Sequence, residues 1–198
     1  MALTKVGSGV IQDDAVGIAN LGATGTASAT TFLRGDNAWA GAGISHASQW
    51  RLTTGFDGDA APIATNLEEV DAPVGFGILG SSMTESSGIF TFPSTGYWLI
   101  HFHASFTSAA NQQWYLGWIY TTHDDGTWAQ ASELNQPAMT ATGGATYPAG
   151  DCFYIFDVTS TSTHKCKFHI DIQTGTVSTE GNTNRNKTYM TFVKLADT

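Results

Sequence analysis

Three features of the chain predict an all-β, antiparallel domain: apolar residues that alternate in phase, turn residues that interrupt them at close intervals, and little charge. The clearest stretch is Gly88 to Phe106, GIFTFPSTGYWLIHFHASF. Ile89, Phe90 and Phe92 are cut off by Pro93-Ser94-Thr95-Gly96, and Tyr97 to Phe106 follows at once, which predicts strand, tight corner, strand. Successive strand side chains point to opposite faces, so Trp98, Ile100, Phe102, Ala104 and Phe106 share one face. That face is core. Tyr97, Leu99, His101 and His103 take the other, apolar at one end and imidazole-rich at the other. The 22 glycines, with abundant threonine, serine and aromatics, favour strands and turns over helices.

Residues 1–44 differ in kind from the rest. They are glycine, alanine, threonine and serine with single apolar residues set far apart, among them Ile11, Val16, Leu21, Phe32, Leu33 and Trp39. No helical period is sustained, and nothing here buries a core alone. Either the segment is a flexible tail or something else orders it. Because apolar residues recur, the expectation is an arm that packs on sister chains or a larger assembly through those six residues.

From residue 45 the elements follow in order. Ser45 to Thr54 reads as a strand with Trp50 and Leu52 in phase and Arg51 facing out. Gly55 to Pro62 is a loop whose aspartates lack the ligand order of a calcium loop. Asn66 to Val70 and Gly75 to Leu79 read as short strands, and Glu68, Glu69 and Asp71 as a solvated edge. After the two strands already described, Gln113 to Thr122 is apolar on both faces, with Trp114, Leu116, Trp118 and Tyr120 on one and Tyr115 and Ile119 on the other. A strand of that kind needs cover on both sides. His123-Asp124-Asp125-Gly126 is a hairpin turn, returning at Trp128 to Glu133. Asn135 to Gly150 is a long loop. Cys152 to Thr159 and His164 to Ile172 are expected to pair across Ser160 to Thr163. Thr174 to Lys187 is a second polar loop, and Tyr189 to Leu195 the last strand.

At 198 residues the chain accommodates an arm and one head, and about 150 residues bury roughly 70% of their unfolded surface. Lysine and arginine number 8 against 17 acidic residues, a net charge of -9, which argues against a nucleic-acid partner. No apolar run reaches 18 residues, and MALTKVGSGV lacks a signal peptide's basic region and apolar core. The expectation is a soluble chain made in a cytoplasm, without membrane insertion. Cys152 and Cys166 are then expected to be reduced core thiols, since no secretory route supplies a bridge.

Phe90-Thr91, the proline corner, and then Gly96-x-Trp98-x-Ile100-x-Phe102-His103-Ala104-Ser105 resemble the signature of the globular head of complement component one-q, a relative of the tumour necrosis factor fold. The resemblance implies a ten-stranded antiparallel jelly-roll sandwich over about residues 45–197, assembling as a trimer. Upstream, Gly25 to Ala40 (GTASATTFLRGDNAWA) resembles a segment met in tailed-bacteriophage fibre and appendage proteins. It implies a virion setting, with residues 1–44 joined to other virion proteins. Within it Arg34-Gly35-Asp36 matches an integrin-binding tripeptide but reads first as a turn.

Nothing in the chain assembles a catalytic constellation. The six histidines are scattered, no nucleophile sits in a strand-to-helix elbow, and no spacing suits a metal or cofactor. His101 and His103, about 7 Å apart by strand rise, are the exception: interface histidines, or near a threefold axis a site for metal, anion or proton. Tyr97, Leu99, His101, His103, Tyr115 and Ile119 are the expected trimer interface. The distal loops, with Trp128, Met139, Tyr147, Arg185 and Lys187, are the expected surface for a host glycan or protein. The functional expectation is a homotrimeric virion fibre or appendage with an adhesive head; the alternative is a capsid-decorating or tail-assembly subunit that binds no receptor.

Overall fold

The computed structural model describes residues 22–28, 31–35, 37–41, 43–137, 140–141, 143–173 and 175–198. Ile11, Val16, Leu21 and Met139 lie outside them. The chain divides into two units, Met1–Gly43 and Ile44–Thr198.

In the first unit β1 (Thr31–Leu33) and β2 (Trp39–Gly41) form a small antiparallel hairpin, paired from Thr31↔Gly41 to Leu33↔Trp39. The Arg34 amide donates to the Ala38 carbonyl and the Asn37 amide to the Arg34 carbonyl, so Arg34 and Gly35 sit in the hairpin turn. Asn37 takes a positive φ of 67°, a conformation asparagine tolerates better than most residues.

The second unit is all strand, with turns and loops between. In chain order it holds β3 (Ala47–Leu52), β4 (Phe56–Asp57), β5 (Leu67–Glu69), β6 (Thr84–Ser86), β7 (Ile89–Thr91), β8 (Gly96–Thr107), β9 (Tyr115–Thr122), β10 (Ala129–Gln136), β11 (Ala149–Val158), β12 (Lys165–Ile172), β13 (Ser178–Thr179) and β14 (Tyr189–Ala196). Among the described residues twelve strands stand where ten were expected, because β4, β6 and β13 are two- or three-residue pairings too short to show a period.

The smaller sheet runs β10-β9-β12-β7-β6. In the larger sheet β8 pairs with β11 and with β14, β14 pairs with β3, and β3 with β5. β13 pairs the far end of β8 at Phe106 and Thr107, and β4 pairs β13. The inward faces meet in one aromatic core: Phe90 packs edge-on against Phe168 at 5.5 Å and tilted against Phe192 at 5.3 Å. Trp98 lies in this core and donates its Nε1–H to the Ser94 carbonyl at 3.1 Å. Gly96 opens β8 at φ 136°, where an added Cβ would meet the Ala196 carbonyl at 2.5 Å; only glycine suits that corner.

Four expectations are corrected. Cys152 to Thr159 and His164 to Ile172 do not pair: β11 joins β8 in the larger sheet, whereas β12 joins β9 and β7 in the smaller. The link Ser160 to Thr163 crosses between sheets, and a short link between two alternating runs has the same sequence appearance either way. Cys152 and Cys166 are therefore in opposite sheets. Both are free and buried; burial pushes the Cys152 thiol up to about 12 and the Cys166 thiol well up. Gly75 to Leu79 forms no strand, only a bridge from Leu79 to Ala47. Arg51 faces outward by phase yet is fully buried, bonded to Glu68 at 2.7 Å, Asp71 at 2.6 Å and the Ala72 carbonyl at 2.7 Å. Glu68 and Asp71 of the acidic run thus clamp Arg51, and the run does lie at an edge, because β5 is the terminal strand of the larger sheet. Finally, Tyr115 and Ile119 are buried core residues of the single chain and not interface residues. Gly117 shares their phase, and a Cβ there would meet Leu134 at 2.9 Å and Phe102 at 3.0 Å, so this phase must face inward.

Candidate functional site

The outward face of the larger sheet is built from three neighbouring strands in register. Asp151, His103 and Tyr189 form one row across β11, β8 and β14; Phe153, His101 and Thr191 form the next; Ile155, Leu99 and Val193 the third. Alternation places all of them on the side opposite the core. Tyr97 stands at the end of β8, exposed.

A clamp of three titratable groups occupies the polar end. His101 Nε2 lies 2.7 Å and His103 Nδ1 2.8 Å from the same oxygen, Oδ1 of Asp151. Each imidazole also has an aromatic neighbour. His101 stacks on Phe153 at 4.4 Å with the planes 10° apart, and His103 stacks on Tyr189 at 5.0 Å. Partial burial raises the Asp151 carboxyl, but the two histidine hydrogen bonds outweigh it and hold the group below its usual value. The carboxylate thus stays charged and fixes both rings in orientation. Among the described residues no group of three His, Cys, Asp or Glu side chains is arranged to hold a metal ion. Two nitrogens bound to one carboxylate oxygen make a hydrogen-bonded unit.

The other end of this face is apolar and open. Phe153 is 55% and Ile155 57% exposed, and Tyr97 and Leu195 are exposed beside the half-buried Leu99 and Val193. Large apolar side chains gathered on one face mark an interaction surface. Of the expected interface residues, Tyr97, Leu99, His101 and His103 come together here. Asp151, Phe153, Ile155 and Tyr189 were not foreseen. The signal for β11 was present, since Asp151, Phe153, Ile155 and Asp157 share a phase in which apolar residues recur, as they do in the core phase of Cys152 and Phe156.

Of the expected loop residues, Arg185 and Lys187 both lie near the Glu180 carboxylate, which Thr107 also bonds. Tyr147 is 72% exposed in its loop. Lys187 is ion-paired with Glu180. Trp128 lies under the Lys167 ammonium, 4.1 Å from its ring centre. Arg185 lines a cavity of about 370 Å³ with Gln49, Val70, Pro73, Phe76 and Asn186. In the arm, Phe32 and Leu33 are exposed and Trp39 is half-buried.

With these rows in view, the chain can be set beside known proteins. No protein-family model and no curated protein sequence matches it. Solved structures do. Tumour necrosis factor Eiger from S. frugiperda aligns with a TM-score of 0.56 at 12% identity, covering 79% of this chain and 95% of that one. Murine APRIL at pH 5.0 aligns with a TM-score of 0.54 at 10% identity, covering 76% of this chain and 98% of that one. The head has the tumour necrosis factor jelly-roll fold. At such identities the likeness shows fold and nothing of activity.

Proposed function

We propose that the chain is a homotrimeric virion appendage whose residues 1–44 attach to other virion proteins and whose head adheres to a host surface. The observation that carries the assembly is the outward face of the larger sheet. Covering the remaining exposed half of Phe153 or Ile155 contributes about 1 kcal/mol each, so copies that bury this face gain stability the isolated head lacks. The number three comes from the resemblance to complement component one-q heads, and the virion setting from the Gly25 to Trp39 segment. Phe32 and Leu33, exposed on the arm hairpin, are available for packing on a partner. Three heads in one assembly turn weak single contacts into durable adhesion.

A second reading is a decorating or tail-assembly subunit that binds no receptor. Two measurements separate and test these readings. Native mass measurement of the chain and of Ile155→Asp is expected to give a trimer for the first and monomer for the second, with unchanged far-ultraviolet circular dichroism. A wild-type monomer sinks the assembly. Saturable binding of the chain to bacterial cells supports adhesion, and its absence across host candidates leaves the scaffold reading. Removal of residues 1–44 is expected to abolish incorporation into particles.

A further inference from the structure

The outward face of the smaller sheet is built differently, and it gathers tryptophan. Trp118 lies on it in β9, Trp128 packs onto it ahead of β10, and Trp114, 37% exposed, falls in the same alternation just before β9. Those are half of the chain's six tryptophans. The other two of the head, Trp50 and Trp98, lie in or against the core. Register sets Trp118 between Glu133 of β10 and His169 of β12, and Tyr120 between Gln130 and Lys167. An aromatic column therefore runs down the middle of the face with hydrogen-bonding side chains on both sides. Neighbouring columns are about 4.8 Å apart, and the Trp118 and Tyr120 ring centres are 6.4 Å apart with their planes at 88°.

These side chains are held before any ligand arrives. Trp118 Nε1–H donates to Glu133 Oε2 at 2.8 Å, and Gln130 Nε2 donates to the same oxygen at 3.1 Å. Tyr120 stacks on His169 at 4.3 Å. The Lys167 ammonium stands 4.1 Å from the Trp128 ring centre and 5.8 Å from that of Tyr120. His169 Nε2 is buried without a hydrogen-bond partner. Pre-set side chains lower the ordering cost of binding, and tryptophan and tyrosine join a flat apolar body to a polar handle.

The charge on this face selects among ligands. Glu133 and Asp171 are acidic and Lys167 basic, Lys165 in the same phase is ion-paired with Asp125 of the hairpin turn, and His169 is kept neutral near pH 7 because burial first, and the Lys167 charge second, push it down to about 4. The face is close to neutral or slightly acidic on a chain of net charge -9, so it repels polyanions and tolerates uncharged ligands. A pyranose ring has apolar C–H faces and a rim of hydroxyls that donate and accept. It fits a ring column flanked by a carboxylate, an amide and an ammonium.

We propose that the outward face of β10, β9 and β12, centred on Trp118, Tyr120 and Glu133, binds neutral oligosaccharide. The proposal deepens the adhesion reading and rests on it for its setting; it moves recognition from the distal loops to a sheet face.

The test titrates the full chain with mannopentaose, maltohexaose, cellohexaose and chitohexaose, with a heparin hexasaccharide as the charged control, read by tryptophan fluorescence and calorimetry. At least one neutral sugar is expected to bind, and heparin not to bind. Trp118→Ala should weaken binding by more than tenfold. Glu133→Gln, which keeps the shape of the site, should weaken it about fivefold, and Val74→Ser, at a fully exposed loop position, should leave it unchanged. No binding by any neutral sugar, or equal binding by Trp118→Ala with native circular dichroism, overturns the proposal. So does dissociation of the assembly by Trp118→Ala or Glu133→Gln, which would make this face a contact between copies. A bacterial-cell arm keeps the two readings apart: adhesion that survives Trp118→Ala removes the sugar site and leaves adhesion standing, whereas sugar binding without adhesion to any strain does the reverse.

Discussion

The two outward faces of the head use aromatic residues in opposite ways. On the larger sheet, Phe153 and Ile155 project from an edge strand with much of their surface open, and the histidines beside them are tied down by a single carboxylate. On the smaller sheet, Trp118, Tyr120 and Trp128 each have a polar or charged partner from the same chain, namely Glu133, His169 and Lys167. Open apolar area is relieved by covering it with more protein. Rings already set among hydrogen-bonding groups offer a shaped, wet surface instead. The lesson is that alternation identifies which residues leave the core, but their same-chain partners decide what the face is for.

The comparison presumes one core that holds both faces, and the largest effect tests that. Phe168→Ala removes a ring that packs on Phe90, Phe102 and Phe192 and is expected to cost about 3–5 kcal/mol in urea unfolding. Both faces should then lose their function together. A loss below about 1 kcal/mol would mean the sheets are held apart from this core.

A smaller, pH-dependent effect separates the faces. His169 is held down to about 4 in the folded chain, against about 6.5 when unfolded. Between those values the unfolded state binds more protons, so this contribution is complete above about pH 6.5 and is lost as pH falls toward 4. After solvent screening it amounts to about 1–2 kcal/mol. His169→Phe, which keeps a ring against Tyr120, should lose that much less stability between pH 7 and pH 4.5. A variant with an acid limb identical to that of the wild type would refute the assignment.

The smallest effect belongs to the other face. Asp151 is held below its usual value, so its contribution is present above about pH 4 and is lost as pH drops through the lower folded value. Its carboxylate is partly open to solvent, which limits the contribution to about 0.5–1 kcal/mol. Asp151→Asn should flatten the stability curve below about pH 4. An effect confined to higher pH would assign the clamp's role to other groups.

How far the molecule was legible varies with the range of the determining contact. β8 could be read outright because Gly96 and Pro93 mark its start and its two faces differ sharply in composition. β9 could be located but not oriented: apolar residues fill both phases, and only the tight fit at Gly117 shows that Tyr115 and Ile119 turn inward. Sheet membership of β11 and β12 is a long-range matter, which local alternation does not encode. The same limit applies to the sites. His101 and His103 were visible as neighbours two residues apart, whereas Asp151 and Tyr189 reach them only through strand pairing. Trp118 stood out as one of several aromatics, and Glu133 as the end of the returning strand; their hydrogen bond belongs to the fold.

The position of β14 has a consequence for how the head is made. This strand, the last of the head to be synthesised, lies between β3, the first of its sheet, and β8. Until Tyr189 to Ala196 has left the ribosome, β3 and β8 flank an empty slot with unpaired backbone on both sides. Sheet closure is thus a late event, slow because it joins ends far apart in sequence. A nascent head stalled before residue 189 presents two open strand edges and the apolar residues meant to lie beneath Met190 and Phe192. Such a chain is a substrate for chaperones and a hazard for aggregation.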